Sequence, residues 1–279
     1  MKEDPNSKPI IIREVWAHNL EAEFNLIRQV IGKYKFISMD TEFPGCIYSP
    51  KVDYCNLQPF DSYRCLKDNV DALKLIQLGI TLTDCSGKLP DLGTNNAYIW
   101  EFNFRDFNVE CDPHNKNSID MLRRQGIDFK RNVSHGVDSL RFSDLMLTSD
   151  LVFNQSITWV TFHSAYDFGY LVKILMQSPL PTSLETFLTI VRLLFGSNVY
   201  DMKYMIQYSN ALYGGLEGIA NTLNVNRVVG KSHQAGSDSL LTWQTFQKMV
   251  QIYFNNNEAQ KYAGVLFGLE VTSCNIIKI

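Results

Sequence analysis

Six cysteines, at 46, 55, 65, 85, 111 and 274, are scattered through 279 residues without a single C-x-x-C pair. That spacing excludes a zinc knuckle and argues against a disulfide framework, so the thiols read as reduced, in a cytosolic or nuclear protein. No apolar run approaches the roughly 20 residues of a membrane span. The opening Met1-Lys2-Glu3-Asp4-Pro5 lacks the apolar core of a signal peptide. Positive charge is scarce: 26 Lys and Arg against 29 Asp and Glu leave a formal net charge of −3. A generally basic nucleic-acid binder is thereby excluded, though a local phosphate site furnished by bound cations is not. Internal repeats, low-complexity tracts and Ser/Gly linkers are also missing. One domain over 13–269 is expected, between a leader at 1–12 and a tail at 270–279, with no membrane association.

What is present is an apolar fraction of 45%, enough for a sizeable core. Leu20, Phe24, Ile27 and Ile31 recur at helical spacing over 19–31, as do Tyr63, Leu66, Val70 and Leu73 over 61–74. Strands are expected at 75–83 and 97–104, which with a strand ending at Glu42 form an antiparallel meander. A polar loop over 46–58 should lie along one edge of the site. Pro9–Ile12 has the composition of a short strand. The middle reads as helices over 118–125 and 136–149, the second turning Leu140, Leu145 and Met146 inward. The β-prone run 157–162 follows, then a helix ending near Pro179. Thr182-x-x-Glu185 has the form of a capping box for the next helix. A last strand over 198–200, a helix over 216–223, the basic loop 227–231 and a long helix from 236 to 254 complete the pattern. Val265-Leu266-Phe267 suggests a short helix. Meander strands followed by strands alternating with helices give an α/β fold with a mixed sheet of about five strands flanked by helices.

The chain is organised around Lys35-Phe36-Ile37-Ser38-Met39-Asp40-Thr41-Glu42-Phe43-Pro44-Gly45. Side chains at i and i+2 of a strand share a face, so Asp40 and Glu42 project together from the end of an apolar strand. Carboxylates that close repel one another unless a cation lies between them, and hard oxygen ligands suit a divalent ion. An isolated Asp-x-Glu is more often two solvated acids. Asp167, just past the 157–162 strand, and Asp238, five residues after His233, change that balance. Singly each reads as a helix-start acid. In order, Asp40, Glu42, Asp167 and Asp238 with His233 resemble the DEDD exonuclease superfamily in its His-containing branch.

The resemblance sharpens in the flanking text. Asp40-Thr41-Glu42-Phe43-Pro44-Gly45, Leu75-Ile76-Gln77-Leu78-Gly79, Phe162-His163-Ser164-Ala165-Tyr166-Asp167-Phe168-Gly169-Tyr170-Leu171 and His233-Gln234-Ala235-Gly236-Ser237-Asp238-Ser239-Leu240-Leu241-Thr242 are similar to the CAF/Pop2-type deadenylases. The match spans about residues 15–269. Ala165 stands where Gly is expected, which bears on the turn before Asp167.

The resemblance implies a ribonuclease-H-like fold and a metal-dependent 3′-to-5′ exoribonuclease that shortens mRNA poly(A) tails and releases 5′-AMP. It implies two divalent ions, Mg2+ or Mn2+, with Asp40 bridging, Glu42 and Asp238 on the nucleophile side, and Asp167 on the leaving-group side through waters. His233 is the expected general base, since an imidazole with an unperturbed pKa of about 6.5 can take the water's proton near neutrality. Phe43, His163 and Tyr166 are candidate substrate contacts, Phe168 a core residue, and Lys203, Arg227 and Lys231 candidate phosphate contacts. The implied partners are single-stranded RNA with a 3′ poly(A) tail, a Not-type scaffold and a second deadenylase subunit. The implied residence is cytoplasmic, with the nucleus left open. The competing readings are a DNA-directed exonuclease of the proofreading type and a catalytically weak docking subunit.

Overall fold

The protein's structure, a computed structural model, describes residues 8–50, 57–209, 211–254 and 258–271. Residues 51–56 of the polar loop, 1–7 of the leader and 272–279 of the tail lie outside the described residues. Strand β1 (Ile10–Val15) and helix α1 (Leu20–Val30) lead into strand β2 (Phe36–Glu42), helix α2 (Pro59–Ala72) and the hairpin strands β3 (Gln77–Thr83) and β4 (Ala97–Asn103). Helices α3 (Lys116–Gln125), α4 (Phe129–His135) and α5 (Ser139–Leu147) precede strand β5 (Thr158–Thr161). Helices α6 (Ala165–Met176) and α7 (Leu184–Phe195) follow, then β6 (Val199–Asp201), α8 (Met202–Met205), α9 (Leu216–Thr222) and α10 (Ala235–Tyr253). No helix among the described residues is long and apolar enough to cross a membrane.

One sheet runs in the order β1-β4-β3-β2-β5-β6. The expected meander is its centre, with β2, β3 and β4 antiparallel neighbours. β5 lies parallel to β2, and β6 parallel to β5. The count corrects the expectation of about five strands to six. The sixth is β1, which starts at Ile10 inside the segment expected as a leader and pairs parallel with β4 from Ile10↔Ala97 to Val15↔Phe102. Its β-branched residues suit an edge position, but an edge strand buries too little of either face to show a clean alternation, so its length was not legible.

The sheet separates two apolar layers. On one side Ile37 and Met39 join Phe24, Leu66, Trp159, Phe168 and Phe195 beneath α1, α2, α6 and α7. Phe168, as expected, is core, with its ring edge-on to Phe195 at 4.9 Å between centroids. On the other side α10 lies across the strands, and Phe36 packs on its Trp243 at 5.4 Å.

Three local expectations need correction. The helix expected over 136–149 forms as α5 alone, starting at Ser139 because Asp138 caps it by accepting the Leu140 and Arg141 amides, and the unexpected α4 ends before it at Gly136. That start rotates Leu140 outward, 56% exposed. The cap of α7 falls one residue later than the Thr182-x-x-Glu185 pattern, at Ser183, which accepts the Thr186 amide and donates its hydroxyl to Glu185. Finally, Val265 forms a parallel bridge to Tyr200 instead of a helix.

One glycine decides how α10 seats. In β3, Gly79 pairs with Asp40 and with Glu101 and therefore faces α10. A Cβ there would sit 1.8 Å from the Ala235 carbonyl oxygen. The first turn of α10 thus rests directly on β3 backbone.

Candidate active site

Ser38, Asp40 and Glu42 share the face of β2 that looks toward α10. The Ser38 hydroxyl donates to the Ser239 carbonyl at 2.7 Å, and Thr81 and Ser239 hydroxyls meet at 2.8 Å. These buried contacts pin α10 over the strand and bring Asp238, in its first turn, to the two strand acids. The seat is completed from β3 and β4. Gly236 N–H donates to the Glu101 carboxylate at 3.0 Å, and the Gln77 amide donates to Glu101 at 3.2 Å and to Asn103 at 2.8 Å.

Asp167 arrives from the other side of β2, in the first turn of α6. The Thr41 hydroxyl donates to it at 2.5 Å. The turn that delivers Asp167 is itself tied down by Asp201, a fully buried carboxylate at the end of β6. Asp201 accepts the amides of His163 at 2.8 Å, Ser164 at 3.1 Å, Lys203 at 2.9 Å and Phe267 at 3.1 Å.

Asp40, Glu42 and Asp238 open onto a cleft of about 440 Å³ that is also lined by His233, Phe43, Ser118, Met121, Phe162 and Gly215–Glu217. His233 adopts φ +58, a strained value for a side-chain-bearing residue. Its loop is held by its own amide, which donates to Asp238 at 2.8 Å, and by Gln234, which accepts the Lys231 amide at 2.9 Å. The exposed His233 ring, Glu42 and Asp238 each offer an atom, and these three lie within 4.8 Å of one another.

The electrostatics are those of a cluster short of positive charge. Burial, then the charges of Asp238, Asp167 and Glu42, push the Asp40 carboxyl well above the usual carboxylate range. Burial, then Asp238 and Asp167, do the same to Glu42. Burial also raises Asp167 to about 7, against the Thr41 hydrogen bond, and raises Asp238 against the pull of Arg227. No hydrogen bond from a described residue reaches the Asp40 or Glu42 carboxylate. Arg227 is the one cation paired with the cluster among the described residues: it donates to Asp238 at 2.5 Å and to the Ser237 hydroxyl at 2.5 Å, and it pairs with Glu217. Four converging carboxylates with one guanidinium are a hard-oxygen donor set that fits divalent cations.

A pH dependence follows for the protein held in chelator. Each raised carboxyl binds more protons in the folded state than in the unfolded state between about pH 4 and pH 7, so stability falls as pH rises through that window. Asp91, held low first by Lys8, acts only below the window. His163, pushed down by burial, opposes the trend as a single group. The metal-free protein should therefore be more stable near pH 5.5 than near pH 8, by on the order of 2–4 kcal/mol. Saturating Mg2+ or Mn2+ should flatten that slope. Thermal melts with and without chelator read this out, and a metal-free melting temperature that climbs across the window would refute it.

Of the expected site residues, the structure brings Asp40, Glu42, Asp167, His233 and Asp238 together, with Phe43 beside them. Tyr166 is stacked behind Phe43, centroids 5.3 Å apart and planes 14° apart, with its hydroxyl accepting from Asn69 at 3.3 Å. It braces the Phe43 ring and does not line the cleft. His163 does not line it either, and sets its ring edge-on against Phe267 at 5.1 Å. Arg227, expected as a phosphate contact, is engaged with Asp238. Thr41, Glu101 and Asp201 were not singled out by sequence reasoning. Only the alternation along β2 and β4 could have flagged the first two, and nothing local flags Asp201.

A family profile described as CAF1 family ribonuclease matches residues 15–145. The protein described as probable CCR4-associated factor 1 homolog 10 of Arabidopsis thaliana is 47% identical over 271 residues, covering 97% of this chain and 96% of its own. Poly(A) ribonuclease pop2 of Schizosaccharomyces pombe is 40% identical over 261 residues, covering 94% and 76%. Among solved structures, S. pombe Pop2p in its Mg2+- and Mn2+-bound form superposes with a TM-score of 0.85 at 40% identity, over 92% of this chain and 99% of that one. Yeast CAF1 co-crystallised with the NOT1 MIF4G domain gives 0.76 at 33% identity, over 96% and 100%. Exonuclease I of E. coli with a dA16 oligonucleotide gives 0.51 at 11% identity, over 81% and 42%, a likeness of ribonuclease-H-like fold alone.

Proposed function

The chain belongs to the CAF1 family of ribonucleases, and on that footing we propose that it is a poly(A)-shortening 3′-to-5′ exoribonuclease whose site is the Asp40, Glu42, Asp167, Asp238 and His233 cluster. The observation that carries the assignment of residues is the opening of Asp40, Glu42, Asp238 and an exposed imidazole onto one cleft, with Asp167 near enough for its charge to act on Asp40 and Glu42. Asp40, Glu42, Asp167 and Asp238 would hold two divalent cations, Mg2+ or Mn2+. When bound, such ions supply positive charge at the attacking and leaving oxygens of a phosphodiester. Arg227 fixes the orientation of Asp238, and Thr41 that of Asp167. His233 accepts the proton of the attacking water. Phe43, braced by Tyr166, offers a ring face to a base of the RNA. Hydrolysis at the last linkage of a free 3′ end releases 5′-AMP. As members of this family are named for CCR4 association, and one is crystallised on NOT1, a Not-type scaffold and a second deadenylase are its partners.

Digestion of a 5′-labelled RNA ending in a run of A tests the reading. A ladder of 5′-labelled products shortening one nucleotide at a time is expected in Mg2+ or Mn2+, with none in chelator. Internal cuts, full activity in chelator, or faster loss of oligo(dA) than of oligo(rA) would each refute it. The base has its own test: His233→Ala should lower kcat by about 100-fold or more. It should also change the pH dependence of the rate. A variant that keeps both the wild-type rate and its pH dependence would remove His233 from the mechanism.

A further inference from the structure

The part of the cleft lining formed by Phe162 and Gly215 adjoins a set of cationic and aromatic groups that the catalytic reading does not use. Lys203 leads it. Its ammonium lies 5.9 Å from the centroids of both Phe162, a cleft residue, and Phe267. The same ammonium donates to the Gly214 carbonyl at 2.7 Å, next to Gly215 of the cleft wall. Tyr213 precedes that glycine pair and is 84% exposed. Beyond Lys203, Tyr204 and Tyr208 pack at 5.4 Å, their hydroxyls 2.9 Å apart, and Tyr208 lies over Tyr262 at 4.7 Å. Tyr208 remains 53% exposed.

Scattered surface aromatics need no explanation. These are tied to the cleft through Lys203, which reaches Phe162, with Tyr204 next to it in the chain and Tyr213 next to its Gly214 acceptor, and the exposed rings carry hydroxyls in place of aliphatic groups. Exposed rings beside a cation suit a single-stranded polynucleotide, since every base has a π-face and every linkage a charge. A chain with net charge −3 has little diffuse attraction for RNA, so such contacts would have to be local.

We infer that Lys203, Tyr208 and Tyr213 form a secondary RNA-binding shelf that grips the poly(A) tail on the 5′ side of the nucleotide being removed. This rests on the exoribonuclease reading and adds to it a site outside the catalytic cleft. The shelf makes the enzyme prefer long tails: a short oligoadenylate fills the cleft alone, whereas a longer one also stacks outside it.

The test compares kcat/KM for a long oligoadenylate with that for the adenylate trimer, using the full chain. In the wild type the ratio favours the long substrate. In the Tyr208→Ala/Tyr213→Ala double variant the ratio should fall by about tenfold, through KM for the long substrate, a loss typical of one stacked base. Tyr208→Phe/Tyr213→Phe keeps both rings and should keep the ratio, which separates stacking from a general disturbance of the fold. The shelf is refuted if the wild type shows no length preference, if the alanine variant keeps the wild-type ratio, or if the phenylalanine variant loses it equally. Failure of the wild type to cut either substrate would instead overturn the exoribonuclease reading itself.

Discussion

Asp40→Asn should abolish poly(A) shortening, lowering the single-turnover rate by about 1,000-fold or more, while making the metal-free protein more stable. The two effects share one cause. Asp40 sits among three other acids, and its charge is opposed first by burial and then by Asp238, Asp167 and Glu42. The uncharged amide of nearly the same shape removes that opposition and sacrifices no hydrogen bond from a described residue. In chelator the variant should gain on the order of 1–3 kcal/mol near pH 8, where the native cluster is most nearly ionised. The rate falls if Asp40 holds the cations as proposed, since removing several kcal/mol of charge stabilisation from the transition state costs a factor of ten for each 1.4 or so. Melting with and without Mn2+ separates these outcomes: the wild type gains a large metal-dependent shift, and the variant gains little or none. A variant that melts below the wild type in chelator, or that keeps its rate, would show that Asp40 is an ordinary structural acid.

The parts of this site that sequence made legible are those in which local pattern and chemistry coincide. Asp40 and Glu42 are two apart on a strand, and that period alone places them on one face. Asp167 and Asp238 fall in the first turns of helices that the apolar pattern already delimits. The central meander and the long final helix came through for the same reason, since their cores repeat at fixed periods. What was not legible is set by distant parts of the chain. Asp201 lies 34 residues beyond Asp167 in sequence, yet it holds the turn that carries Asp167 through amides from three separate segments. Glu101 reads as an acid in an otherwise apolar strand until its bond to the Gly236 amide shows that it seats α10. His163 and Tyr166 stand beside a catalytic-type acid in sequence, but the turn after β5 sends one toward Phe267 and the other behind Phe43. Proximity along the chain overstated their access to substrate. The extension of β1 to Val15, past the strand expected over 9–12, and the one-residue shift in the α7 cap are misses of another kind, where weak local signals had no periodic core to fix them.

Gly79→Ala should be the most damaging single-methyl change in the molecule, although residue 79 bears no functional group. The added Cβ would lie 1.8 Å from the Ala235 carbonyl oxygen and 2.5 Å from the Gly236 amide nitrogen. Both are backbone atoms in the first turn of α10, so no side chain can swing aside to make room. Either β3 bends or the helix lifts. A lifted helix loosens the Gly236 bond to Glu101 and the Ser38 and Thr81 contacts to Ser239, and it carries Asp238 away from Asp40 and Glu42. Overpacking against backbone should cost about 3 kcal/mol or more in unfolding free energy. In the fraction that still folds, displacement of Asp238 by about 1 Å should cost on the order of 100-fold in rate. Gly32→Ala is the matched control: nothing lies within 4 Å of its new methyl, so stability and rate should both stay near wild type. Denaturant titration and turnover measured on the same preparations decide the matter. If Gly79→Ala retains both, α10 does not rest on β3 backbone, and the placement of Asp238 against the strand acids has to be redrawn.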